Sequence, residues 1–214
     1  MPWSEKLPFP ALRAAWIAFM LIFGSLLTGI LNIPAAQSML VVELLASAAC
    51  IGTFSQLGAK NPDIKDFAAV LLFYMAVIMI SAIVTCPWEI LLEYYGIEIT
   101  AKQQMLVDVI NANWPERIFM FLAICALTPV VEEVLFRRII FGALLNVVSP
   151  LTAILTTSML FAIVHFFLRG LPALFIMGLG FQLIYLMRKN LFSAILLHAL
   201  VNGVAFFTNI LENQ

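Results

Sequence analysis

Long apolar runs separated by short polar connections form the hydrophobic pattern of this chain. A membrane has a hydrocarbon core about 30 Å thick, which a helix of roughly 20 apolar residues spans. By this rule the sequence predicts helical spans at 12–31, 36–58, 67–86, 117–136, 150–168, 171–188 and 191–210. Proline and asparagine punctuate the connections, as at Pro34, Asn61-Pro62 and Ser149-Pro150. We therefore predict an all-α, polytopic bundle of about seven transmembrane helices, with residues 1–214 in a single domain.

The composition supports a membrane protein. Apolar residues make up 64% of the 214 residues and charged residues 11%, whereas a soluble domain of this size buries only about 70% of its unfolded surface. The net charge of -1 leaves no basic stripe for phosphates, which excludes nucleic-acid binding. We expect a multi-pass protein of the lipid bilayer.

Two segments depart from the simple pattern. The fourth run stays apolar to about Val148, too long for one straight span, so we expect a kink near Pro129 or a helix that projects from the membrane. The segment 87–116 is acidic and is the only long polar connection. Residues 101–112 within it predict a short amphipathic helix on the membrane surface. Either an external loop or a lid over a site in the membrane explains this segment.

The distribution of Lys and Arg predicts the topology. With the N-terminus in the cytoplasm and the C-terminus outside, the cytoplasmic side carries Lys6, Arg13, Lys60, Lys65, Arg137, Arg138, Arg188 and Lys189, and the outer side carries Lys102, Arg117 and Arg169. Positively charged residues concentrate on the cytoplasmic side of membrane proteins, so this orientation is favoured.

Ionisable side chains inside the predicted spans are candidates for function, because they are costly at membrane depth. They are Glu43, Glu132, Glu133, Arg137, His165 and His198. On a helix, Glu133 and Arg137 are i and i+4 neighbours with the acid first, the favourable order for an ion pair. Glu132 points about 100° away from that face. The sequence therefore predicts Glu133 and Arg137 as structural support and leaves Glu132 available as a general base.

Two further pairs share a helix face. Phe161 and His165 are four residues apart, as are His198 and Asn202. The second pair offers two donors that suit an oxyanion, although a helix–helix hydrogen bond explains the same residues. Glu132 and His165 lie at similar distances from the Ser149 turn, so a helical hairpin brings them to the same depth.

These motifs resemble a known family. Glu-Glu-x-x-x-Arg at 132–137, Phe-x-x-x-His at 161–165 and His-x-x-x-Asn at 198–202 follow one another on successive apolar helices. In this order they resemble the CPBP family, the CAAX prenyl protease and bacteriocin-processing (Abi) family of glutamate-type intramembrane endopeptidases. The resemblance covers about 117–210, and the N-terminal spans match only as generic membrane helices.

The resemblance implies a water-filled cavity within the membrane and hydrolysis of a peptide bond in a membrane-embedded or lipid-anchored substrate. Glu132 and His165 would activate the water, and His198 and Asn202 would stabilise the oxyanion. Glu133, Arg137 and Phe161 would support the site. This mechanism uses no metal and no cofactor, and the oligomeric state stays open.

Two alternatives stay open. A zinc-dependent protease would use Glu132, His165 and His198, which have the ligand types of a catalytic zinc site, although the HExxH spacing is missing. A non-catalytic scaffold, immunity protein or proton-coupled transporter would also place acids and histidines in the membrane. Glu43 fits the transporter interpretation and lies outside the protease motifs.

Overall fold

The chain is helical throughout the part that the structure describes. The computed structural model describes residues 35–54, 62–97 and 104–212, and the predicted span 12–31 lies outside these ranges. The helices are α1 (Ala35–Phe54), α2 (Ile64–Tyr94), α3 (Gln104–Asn111), α4 (Trp114–Leu144), α5 (Pro150–Ile163), α6 (Leu171–Arg188) and α7 (Leu191–Leu211). The predicted all-α membrane bundle is confirmed.

Four of these helices, α2, α4, α6 and α7, are long and apolar enough to cross a membrane. The stretch Ala36–Ala48 of α1 and the whole of α5 are shorter apolar helices. Large apolar side chains are exposed on the outer surface, and Leu72 and Met75 of α2 are 69% and 67% exposed. Such exposure is unfavourable in water but natural against lipid, so the chain is a multi-pass membrane protein.

Helix α2 is longer than its predicted span of 67–86. It begins at a capping box of Asp63 and Asp66 and continues for 31 residues through Pro87 to Tyr94. Membrane helices tolerate an interior proline because neighbouring groups satisfy the backbone that it leaves unpaired. The acidic connection predicted at 87–116 therefore begins later, and Glu89 and Glu93 lie on the helix. The short helix predicted at 101–112 is present as α3.

Helix α4 contains two π-helical segments, Ala123–Leu127 and Val134–Ile140, on either side of Thr128–Glu133. Asn113 and Glu116 cap its first turn reciprocally. The sequence predicted a kink near Pro129 or a projecting helix, and the first π-helical segment ends at Leu127, two residues before that proline. Such π segments inside α-helices are frequent at functional sites.

Helix α5 is shorter than its predicted span of 150–168. Ser149 caps its first turn, and the helix ends at Ile163. Phe166 then has a φ of 48°, a left-handed conformation that cannot continue a right-handed helix. His165 therefore lies in the turn beyond α5 and not within a span.

Helix α2 packs against α6, and polar contacts near each end of α2 hold the two helices together. Near the middle, a Cβ added at Gly180 of α6 would lie 2.3 Å from Val77 Cγ2 of α2, so the absence of a side chain allows the close approach. At the start of α2, Arg188 and Ser193 donate to Asp66 over 2.6 and 2.8 Å, and Arg188 also donates to Asp63. We call this group the Asp66 anchor.

At the other end of α2, two side chains hold the connection that precedes α6. The Trp88 indole N–H donates to the Leu168 carbonyl over 2.9 Å, and Arg169 Nε donates to Glu89 Oε1 over 2.6 Å. We call these four residues the loop clamp. The anchor and the clamp are roughly 35 Å apart at the helical rise of about 1.5 Å per residue, which is close to the thickness of a bilayer core.

The buried apolar side chains link these helices around a shared interior. One cluster joins α2, α4, α5, α6 and α7 through Val70, Phe136, Phe161, Phe181, Ile184, Ala194, Leu197 and Val201. A second cluster packs Ala46 and Cys50 of α1 against Val131 and Val134 of α4. This packing fixes α1, α4, α6 and α7 around one cavity.

Candidate active site

A cavity of about 340 Å³ lies between α1, α4, α6 and α7. Most of its lining is apolar, including Met39, Leu174 and Phe181. Its polar lining consists of Glu43, Thr128, Glu132, His165, His198 and Asn202. The structure thus places on one cavity all four side chains to which the sequence analysis gave chemical roles.

Helix α4 directs its two glutamates to different surroundings. Ile124, Thr128 and Glu132 line the cavity along one side of the helix. Glu133 instead pairs with Arg137, with an Nε–Oε2 distance of 2.7 Å and an Nη2–Oε1 distance of 3.3 Å. Both of these side chains are fully buried. The ion pair expected from the i, i+4 spacing is present.

Three aromatic rings surround the buried guanidinium of Arg137. Its Cζ lies 5.8 Å from the ring centroid of Phe136, 5.4 Å from that of Phe161 and 5.7 Å from that of Phe181. Ring faces attract cations at such distances. Phe161, predicted as a supporting residue, therefore contacts the charge that neutralises Glu133.

His198 joins the two glutamates. Its Nδ1–H donates to Glu133 Oε1 over 2.9 Å, and its Nε2 lies 3.8 Å from Glu132 Oε2. The ring also stacks on Phe181, with centroids 4.6 Å apart. The carboxylate of Glu133 fixes a proton on Nδ1. The other ring nitrogen, Nε2, is the one near Glu132. The sequence analysis did not foresee the contact with Glu133.

His165 is held by the last turn of α5. Its Nδ1–H donates to the Phe161 carbonyl over 2.6 Å, and the two rings are 4.7 Å apart. The predicted contact between Phe161 and His165 is therefore present, although His165 lies beyond the helix. In the neutral ring, a proton on Nδ1 leaves Nε2 as an acceptor.

Asn202 of α7 binds a backbone carbonyl of α4 that Pro129 leaves without a local donor. The Asn202 amide donates to the Ile124 carbonyl over 2.9 Å. In the π-helical register, where Thr128 N–H bonds Ala123 O, the next backbone donor to Ile124 O would be residue 129, which is proline and has no N–H. The carbonyl is therefore available to Asn202. The helix–helix hydrogen bond that was the alternative interpretation of Asn202 is therefore present. The carboxamide keeps a second N–H that can donate.

Within the described residues, one buried oxygen of a cavity-lining side chain, Glu132 Oε2, has no hydrogen-bond partner. Glu43 and Thr128 lie on the same cavity and interact with each other. An oxygen buried without a hydrogen-bond partner is costly unless a ligand or water completes it, so this side of the cavity is suited to bind polar atoms. The sequence drew attention to Glu43 through its membrane depth, whereas Thr128 and Phe181 carried no distinguishing pattern.

The zinc alternative requires Glu132, His165 and His198 to converge on one point. Across the part of the chain that the structure describes, no three His, Cys, Asp or Glu side chains are placed to hold a metal ion. The three residues line one cavity but do not form a ligand set.

Comparisons with known proteins agree with the motifs. The family model described as type II CAAX prenyl endopeptidase Rce1-like matches residues 113–204. The membrane-embedded CAAX protease MroQ of Staphylococcus aureus is 27% identical over 98% of this chain and 83% of its own length. The membrane peptidase YdiL of Bacillus subtilis is 34% identical over 52% of this chain and 45% of its own length. No solved structure matches the chain.

The matched residues contain all three motifs and thus every side chain that carried the resemblance. The family supports a membrane-embedded protease, and the bacterial relatives support a multi-pass protein of the plasma membrane. The resemblance to the CPBP family of CAAX-type membrane proteases that the motifs predicted is confirmed by these matches.

Proposed function

We propose that the protein is a glutamate-type intramembrane endopeptidase that uses water activated by Glu132 and His165. The observation that supports this most directly is the division between the two glutamates. Glu133 is occupied by Arg137 and His198, whereas Glu132 faces the cavity with a buried oxygen that has no hydrogen-bond partner among the described residues. A carboxylate held in this way is available to accept a proton from water.

These positions support the following reaction. His165 Nε2 accepts a hydrogen bond from the water and orients it, and Glu132 takes a proton as the water oxygen attacks the peptide carbonyl carbon. Glu132 then returns that proton to the peptide nitrogen as the C–N bond breaks. The products are a carboxylic acid and an amine, and the water supplies all the added atoms.

His198 and Asn202 stabilise the oxyanion of the tetrahedral intermediate in this mechanism. The second N–H of Asn202 is a ready donor. His198 donates through Nε2 in the state in which its ring carries both protons. Preorganised donors of this kind typically contribute about 100- to 1,000-fold in rate.

The lining of the cavity supports one class of substrate. An apolar cavity inside a helical bundle accepts an apolar segment from the bilayer, so we infer a membrane-embedded or lipid-anchored peptide. One relative is named as a CAAX protease, which is compatible with a lipid-anchored C-terminal segment.

The test compares the membrane proteome of a deletion strain complemented with the wild-type protein or with the Glu132→Gln or His165→Ala variant. New protein termini that require the wild-type protein identify cleavage. We expect both variants to lose these termini by at least about 100-fold, the usual contribution of a general base. Melting of the purified proteins in detergent micelles establishes that they are folded.

The matched control is Glu93→Gln, which removes an exposed carboxylate of α2 and should leave the termini unchanged. Wild-type cleavage by a folded Glu132→Gln variant would exclude the mechanism.

A further inference from the structure

The connection between α5 and α6 carries part of the active site. This loop, residues 164–170, contains His165, and its residues Phe167 and Gly170 also line the cavity. A Cβ added at Gly170 would lie 2.5 Å from the Phe167 ring, so the loop is tightly packed at that point. A displacement of the loop would therefore change both His165 and the cavity wall.

The conformation of this loop depends on contacts outside it. Phe166 adopts a left-handed φ of 48° while its side chain is 92% exposed. A residue with a Cβ does not favour this conformation, and few protein atoms contact its side chain. Strained backbone persists when the surrounding structure determines it.

The loop clamp provides such contacts. Trp88 binds the backbone of Leu168, and Glu89 binds the side chain of Arg169. Both partners are within four residues of His165 along the chain. From inside the bundle, His165 is bound through the Phe161 carbonyl. The loop is thus held on its inner side by α5 and on its outer side by α2.

We propose that Trp88 and Glu89 are positioning residues for His165. They hold residues 164–170 so that the imidazole stays beside the cavity, and they reach the active site from a helix outside the region matched by the family model. This inference rests on the catalytic role proposed above for His165. Positioning matters because a displacement of about 1 Å can cost roughly 100-fold in rate.

The test exchanges the charges of the clamp. Glu89→Arg and Arg169→Glu each place like charges together, and the double variant restores an opposite pair in reversed order. Trp88→Phe keeps an aromatic ring but removes the indole donor. Glu93→Arg, one turn further along α2 and exposed, is the matched control for adding a positive charge to this end of the helix.

Two measurements are made on the full-length protein. Hydrogen–deuterium exchange in detergent micelles reports the order of residues 164–170, and the termini that depend on Glu132 report cleavage in cells. For each single clamp variant we expect faster exchange confined to this loop and about ten-fold less cleavage. The double charge variant should regain both to within about two-fold of wild type, and Glu93→Arg should change neither.

The outcomes separate this inference from the proposed function. If Glu132→Gln abolishes cleavage while the single clamp variants cleave and exchange like wild type, the positioning role is wrong. A double variant that stays as impaired as the single variants also contradicts it, because a pairwise contact should be restored. If Glu132→Gln has no effect, the proposed mechanism fails, and loop exchange alone then supports or contradicts the clamp.

Discussion

The two ends of α2 hold α6 with the same chemistry in different surroundings. In the Asp66 anchor, the carboxylate of Asp66 is buried, with 4% of its side chain exposed, and receives both Arg188 and Ser193. In the loop clamp, Arg169 and Glu89 are 35% and 32% exposed. An ion pair open to solvent contributes little to stability, whereas removing one partner of a buried group leaves the other unsatisfied.

This difference suggests a division of labour along one helix. The anchor is far from the cavity and fixes the bundle, and the clamp is beside His165 and orders a loop. The anchor should therefore affect folding strongly, whereas the clamp should affect activity with little effect on stability. Each of the following substitutions tests one part of this contrast.

Asp66→Ala should have the largest effect on stability. It removes the acceptor of Arg188 and Ser193 and one half of the capping box of α2, and we expect a fall in melting temperature of roughly 10 °C in detergent micelles. Lys65→Ala, at an exposed neighbouring position, should melt like wild type. A melting temperature of Asp66→Ala within about 1 °C of wild type would show that the anchor does not stabilise the bundle.

Gly180→Ala should have an intermediate effect. It tests the close contact between α2 and α6 that lies midway between the anchor and the clamp. The added Cβ would collide with Val77, whose branched side chain has little freedom to move. Overpacking of this kind costs about 2 kcal/mol, or roughly 5 °C in melting temperature. Adding Val77→Ala should recover part of the loss.

The matched control is Gly203→Ala, where an added Cβ meets nothing within 4 Å. Alanine favours a helix over glycine, so this variant should melt at or slightly above the wild-type temperature. If Gly180→Ala behaves in the same way, α2 and α6 are not in the close contact described here.

Glu89→Gln should have the smallest effect on stability. We expect a change in melting temperature of about 2 °C or less, because the pair is partly exposed, while hydrogen exchange of residues 164–170 increases. A large loss of stability without a change in loop exchange would reverse the contrast between the anchor and the clamp.

The sequence predicts the class of fold and the residues that meet. Apolar run lengths predict the spans, and the spacing of Glu133 and Arg137 on one helix predicts their ion pair, because both depend on local geometry. The convergence of Glu132 and His165 on one cavity was expected from their similar distances to the Ser149 turn, whereas that of His198 and Asn202 rested on the family resemblance. Their catalytic roles stay predictions until the variants are measured.

The features that the sequence does not predict depend on contacts between distant segments. The bond between His198 and Glu133 requires the depth of α7 relative to α4, which no local pattern gives. The end of α5 at Ile163 is determined by the backbone at Phe166, whose residue type does not favour it. The predicted span ended at residue 86, yet α2 continues through Pro87 to the residues of the clamp.

Pro129 has a consequence for how main-chain acceptors are shared in the membrane. An ordinary residue at this position would offer its own amide hydrogen to the Ile124 carbonyl and would compete with Asn202 for it. In hydrocarbon an unpaired main-chain amide is costly, so the local partner would be expected to prevail. The imino acid removes that competitor, and one oxygen of a membrane helix is thereby left to a side chain from α7.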